Sequence, residues 1–185
     1  SGTSRGEQEI ASFIQSIYQG EVILGDREVL SGKELDIYIP EKKIAIEFDG
    51  LYWHSSRYKS SRYHLEKTRL CENTGLHLIH VFENEWVRKP EIVKSILRSK
   101  LGLSEKNVYA RQCVLVDLSY AESKDFFEAN HIQGNTVSSI RAGLVYNGKL
   151  VCAMSLGRSH RSKDRYMELK RFCSLLDTKV VGGFS

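Results

Sequence analysis

Apolar residues first recur at helical spacing between Glu7 and Tyr18, where Ile10, Phe13, Ile14 and Ile17 make one stripe. The spacing predicts an amphipathic helix capped by Ser4 and stopped by Gly20. The pattern then turns to short strands. Val22 to Leu24 reads as a strand with a turn at Gly25-Asp26, Leu35 to Ile39 alternates and ends at Pro40, and Ile44 to Phe48 is short enough for a central strand. Together these predict a sheet with a hairpin at its middle. Ser55 to Ser61 is polar and reads as a loop, Ser61 to Asn73 as a helix stopped at Gly75, Leu76 to Phe82 as a strand, and Pro90 to Leu101 as a helix with Ile92, Val93, Ile96 and Leu97 inward. Helix, three strands, helix, strand, helix is an α/β order, satisfied by a small mixed sheet with helices packed on it.

Gly102 to Asn107 reads as a linker, which divides the chain into 1–103 and 108–185. Beyond it, Val114 to Asp117 predicts a strand and Tyr120 to Ala129 a helix. Arg141 to Tyr146 and Leu150 to Leu156 predict a hairpin about Asn147-Gly148, and Arg165 to Leu176 a helix. That is a smaller α+β domain. The stop after Val180-Val181-Gly182-Gly183-Phe184-Ser185 reads either as a natural end or as a truncation of it.

Composition narrows the class. The 185 residues are 41% hydrophobic with two prolines, enough for a core without disulfides or a structural metal. The net charge of +4 is mild, but its distribution is uneven. Arg57, Lys59, Arg62, Lys67 and Arg69 face Glu66 alone between His54 and Leu70, and eight basic residues face Asp164 and Glu168 between Arg141 and Arg171. Such runs fit either a polyanionic partner or a solvated face. Cys71, Cys113, Cys152 and Cys173 form no metal-binding pair or disulfide framework, so reduced thiols in an intracellular protein are expected. No run reaches transmembrane length, and no membrane partner is expected.

The chemistry gathers between Lys33 and His54. Asp36 points opposite to Leu35 and Ile37 on its strand, and Glu47 and Asp49, two apart, share a face of the next. A hairpin can bring the three carboxylates together, and Mg²⁺ accepts such an oxygen set; a solvent-facing acidic face is the alternative. His54, after Tyr52-Trp53, is a candidate general base or proton donor, or else a core-edge histidine. His64, Lys67 and Thr68 share a helix face; Lys67 would hold water or neutralise a phosphorane, or simply solubilise the helix. His77 and His80 read as flanking the packing, Trp86 as a core or corner residue.

The D-x10-E-x-D spacing with a lysine on a later helix resembles the PD-(D/E)XK nuclease superfamily. More closely, DIYIPEKKIAIEFDGLYWH followed by YHLEKTRLCENTGLHLIHVFENEW resembles the very-short-patch-repair (Vsr-like) endonucleases and the phage homing endonucleases related to them. The resemblance covers Glu7 to about Leu101. It implies a restriction-endonuclease-like core and a Mg²⁺-dependent double-stranded DNA endonuclease of phage or mobile-element type, with Mn²⁺ as a substitute ion. It also implies a bacterial cytoplasm or phage-infected host cell as its setting. Asp36 falls on the family's metal-binding Asp and His54 on its catalytic His. Glu7 lies near the first-helix Glu, with Glu9 as a rival. Glu47 and Asp49 occupy the E-x-K positions.

Asp49 stands where the wider motif has lysine, so His54 or Lys67 must supply the missing function, and His64 with Lys67 holds a neighbourhood where the family offers an Asp. No cysteines match the structural zinc site of the repair enzymes, which favours a homing-type nuclease. The second domain resembles the appended domain of some phage nucleases and part of an acyltransferase-like fold. Arg158, Arg161, Lys163 and Arg165, like Arg57, Lys59, Arg62 and Arg69, are candidate DNA phosphate contacts. A homodimer would suit double-strand cleavage. The alternatives are a non-catalytic DNA-binding protein that keeps the nuclease fold, and an acyltransferase-like modifying enzyme.

Overall fold

The computed structural model describes residues 4–50, 57–159 and 166–183, with side chains of 57–63 left out. It divides into two compact units, Ser1–Pro90 and Glu91–Ser185.

The first unit opens with α1 (Arg5–Ile17). Ser4 Oγ accepts from the Glu7 N–H while the Glu7 carboxylate accepts from the Ser4 N–H, so two orphan donors of the first turn are satisfied. Strands β1 (Ile23–Asp26), β2 (Leu35–Ile39), β3 (Ile44–Asp49) and β4 (His77–Phe82) follow in that order across one sheet. The first two junctions are antiparallel and β3–β4 is parallel. A turn at Pro40–Lys42, closed by Lys43 in the left-handed region at φ 52°, makes the expected β2–β3 hairpin. Parallel neighbours need a crossover, and α2 (Arg57–Asn73) supplies it. This helix starts within the stretch read as loop. Leu30, Leu35, Ala45, Cys71, Leu76 and Leu78 form a buried cluster beneath it.

Alternation along β3 divides its chemistry. Phe48 faces α1 so closely that a Cβ on Gly6 would lie 2.2 Å from the ring. Glu47 and Asp49 therefore face the other way, toward α2. A short helix absent from the sequence reading, α3 (Glu83–Arg88), buries Trp86, whose Nε1 donates to Glu9 at 2.8 Å. The unit is thus a central mixed sheet flanked by helices.

The second unit takes in α4 (Pro90–Leu101) from Glu91 onward. Strand β5 (Lys106–Tyr109), within and beyond the expected linker, pairs in parallel with β10 (Thr178–Val181). Strands β6 (Val114–Asp117), β7 (Ile140–Tyr146), β8 (Lys149–Arg158) and β9 (Met167–Ser174) form an antiparallel sheet. Helix α5 (Tyr120–Asn130) packs on it through Phe126 and Phe127, against Leu118 and Ala153. The sequence predicts a helix over Arg165 to Leu176, but Met167–Ser174 is a strand. Glu, Leu and Lys favour a helix locally, yet the ladder to β8 satisfies the backbone and overrides that weak preference. Among the described residues no helix is long and apolar enough to cross a membrane.

Candidate metal centre

Each member of the acidic group is held by a different partner. Asp36 Oδ2 accepts the Phe48 N–H at 2.8 Å, a bond across the hairpin. Burial raises its pKa, opposed by that N–H and by the Lys67 charge, while Glu34 and Asp49 raise it further. Glu47 is buried, and Lys67 Nζ donates to its Oε1 at 2.5 Å. Burial pushes the Glu47 carboxyl up to about 7 against the lowering pull of Lys67. Its Oε2 is buried with no protein partner among the described residues.

Lys67 is no solvated helix lysine. It is 1% exposed, and helical spacing places it on the sheet-facing side with His64 and Thr68. Its charge lies among Asp36, Glu47 and Cys71.

Asp49 turns to two histidines. Its Oδ1 lies 3.2 Å from His64 Nδ1 and its Oδ2 2.8 Å from His80 Nδ1. Ligand atoms of Asp49, His64 and His80 all fall within 4.8 Å of one another, a group able to chelate a divalent metal ion. Asp36 and Glu47 lie outside that group, although their charges are felt with that of Asp49.

Thr68 Oγ1 lies 2.8 Å from the His64 carbonyl oxygen and 3.0 Å from His80 Nε2, so the hydroxyl braces one nitrogen of the ring while Nδ1 of the same ring faces the Asp49 carboxylate at 2.8 Å. A ligating imidazole held by an outer partner on its other nitrogen is a common feature of metal sites. Two imidazole nitrogens and one carboxylate suit Mn²⁺, Fe²⁺, Co²⁺ or Zn²⁺ better than Mg²⁺, which prefers oxygen.

From sequence alone His80 is expected to flank the packing. The β3–β4 register pairs it with Glu47 and sets it on the acidic face. The alternation of HLIHVF could have found the face, but not the partner strand. His77 is exposed. Glu7 is engaged in the helix cap; burial raises its pKa, and the charge of Asp36 raises it further. Glu9 is instead tied to Arg5 and Trp86. Arg69 and Arg158 are exposed. His54, Arg161, Lys163 and Arg165, and the side chains of Arg57, Lys59 and Arg62, lie outside the described residues.

No family model, curated protein or solved structure matches the chain.

Proposed function

We propose that the first unit is a metal-dependent phosphodiester hydrolase of the restriction-endonuclease-like, Vsr-like and homing-type kind, cutting double-stranded DNA. One observation carries the reading: Lys67 reaches back from α2 to Glu47, beside Asp36 and Asp49. It offers the amine that the E-x-K pattern would have had at Asp49. A solvated acidic face has no use for a buried lysine.

Asp49, His64 and His80 would hold a divalent ion, and Asp36 Oδ1 and Glu47 Oε2 offer the oxygens that Mg²⁺ or Mn²⁺ prefers. The ion would polarise the phosphoryl group and lower the pKa of water. Glu47, with its carboxyl near 7, accepts a proton from water at neutral pH. Lys67 offsets negative charge developing on the phosphate. Glu7 orients the network around Asp36, and His54 is assigned proton donation to the leaving oxygen.

Supercoiled plasmid incubated with Mg²⁺ or Mn²⁺ tests the reading. Cleavage is expected with either ion, abolished by EDTA and by Asp36→Ala or Glu47→Gln. Undiminished cutting by well-purified Asp36→Ala would overturn it. Salt-sensitive DNA binding without cutting under any divalent ion would instead favour a binding module.

A further inference from the structure

The second unit holds a polar row that the proposed hydrolysis does not use. The register sets Arg141 opposite Ser155 and Ser155 opposite Arg171, across β7, β8 and β9. Cross-strand partners project from the same face of a sheet. Two positions along, Gly143, Ala153 and Cys173 form a parallel row, and Ala153 and Cys173 pack under α5. The arginine row therefore opens on the α5 face.

Its donors are incompletely used. Ser155 is 1% exposed, yet among the described residues its Oγ has no hydrogen-bond partner, and Arg141 Nε is also buried without one. Arg141 Nη1 donates to the Ser138 carbonyl at 2.7 Å. Arg171 donates through Nε to the Gly134 carbonyl at 2.9 Å and through Nη1 to the Lys170 carbonyl at 2.7 Å. Among the described residues no carboxylate pairs with either guanidinium. The neighbouring acid, Glu128, accepts from the Asn135 N–H at 2.9 Å and helps to hold the same loop.

Both guanidiniums are thus anchored by backbone carbonyls, which carry no net charge, and Arg141 keeps its Nε unused among the described residues. Between them stands a small side chain with an unused hydroxyl. Two positive charges with no paired carboxylate among the described residues, flanking a buried unused hydroxyl, are matched by a compact oxyanion. The Nε–Nη2 edge of arginine fits two oxygens of such a group at once.

We propose that Arg141, Ser155 and Arg171 form a phosphate-binding site, which takes the phosphoryl group of a free nucleotide or of a nucleic-acid backbone. Arg141 binds through its Nε edge, Ser155 donates from below, and Arg171 closes the far side. The site is independent of the metal centre and stands whether or not the first unit cuts DNA.

Isothermal titration of the full chain with inorganic phosphate is the direct test. Saturable binding is expected, weakened about 10-fold or more by Arg141→Gln or Arg171→Gln, as for loss of a charged hydrogen bond. Ser155→Ala separates a binding role from a folding role, because its hydroxyl makes no bond among the described residues. It should keep the melting temperature while binding phosphate more weakly. Competition identifies the source: displacement of phosphate by a mononucleotide marks a nucleotide site, and displacement only by a duplex oligonucleotide marks a backbone contact. Absence of saturable binding by the wild-type protein would overturn the proposal, as would variants that bind as tightly as wild type.

Discussion

Replacing Lys67 by methionine isolates the charge at the centre of the first unit. Methionine keeps an unbranched apolar stem of similar length, so the packing changes little. The lost Nζ was 2.5 Å from Glu47 Oε1 in a site where Lys67 is 1% exposed. Removing one partner of a buried pair costs about 3–5 kcal/mol when the other stays ionised. Glu47 has an escape, because burial already pushes its carboxyl from 4.5 to about 7 even with Lys67 present. Without the lysine its pKa rises further. A carboxyl raised above its unfolded value contributes fully below about pH 4.5 and loses that contribution as pH rises through the folded value. The wild type finishes that loss near pH 7, whereas Lys67→Met continues to lose stability above it. The pH-dependent part of the cost is therefore small near pH 6.5. It grows by about 1.4 kcal/mol per pH unit, reaching about 2 kcal/mol near pH 8.5. Urea unfolding at the two pH values reads this directly. Adding Glu47→Gln removes the titrating group and should flatten the dependence. A cost independent of pH would refute the assigned coupling.

Two further outcomes test the packing and the metal centre. Gly6→Ala places a Cβ where Phe48 Cζ is 2.2 Å away, so it should cost about 1–3 kcal/mol in a thermal melt. Phe48→Leu in the same chain should recover part of that; an unchanged melting temperature for Gly6→Ala alone would contradict the packing of α1 on β3. Thr68→Val removes the hydrogen-bond partner of His80 Nε2 without touching a ligand atom. It should weaken Co²⁺ binding about 10–100-fold in competition with a chromophoric chelator. His80→Ala should weaken it more, and equal affinity in all three proteins would dismiss the cluster as a metal site.

How much of the site was legible depends on how local each signal is. Asp36 on one strand with Glu47 and Asp49 on the next follows from alternation, which fixes a side chain's face from its own strand. Helical spacing likewise put His64, Lys67 and Thr68 together on one face. The antiparallel hairpin was readable because its two strands are joined by a short turn at Pro40–Lys42. Where local preference conflicted with pairing, the sequence misled: Met167–Ser174 has helix-forming residues and is a strand because β8 is beside it.

The sequence by itself determined α1, the four strands and most of α2 in the first unit, the face each acid takes, and the candidate lysine. Only the tertiary structure decided what those groups meet. The parallel β3–β4 pairing brings His80 to Asp49 from 31 residues away, and the seating of α2 puts Lys67 on Glu47. Arg141, Ser155 and Arg171 become one row only through the registers of three strands. The reason is physical. Side-chain direction repeats along a strand or helix and is written in neighbouring residues. The choice of partner strand is set by burial and hydrogen bonding summed over the whole chain, and no short window of sequence carries that sum.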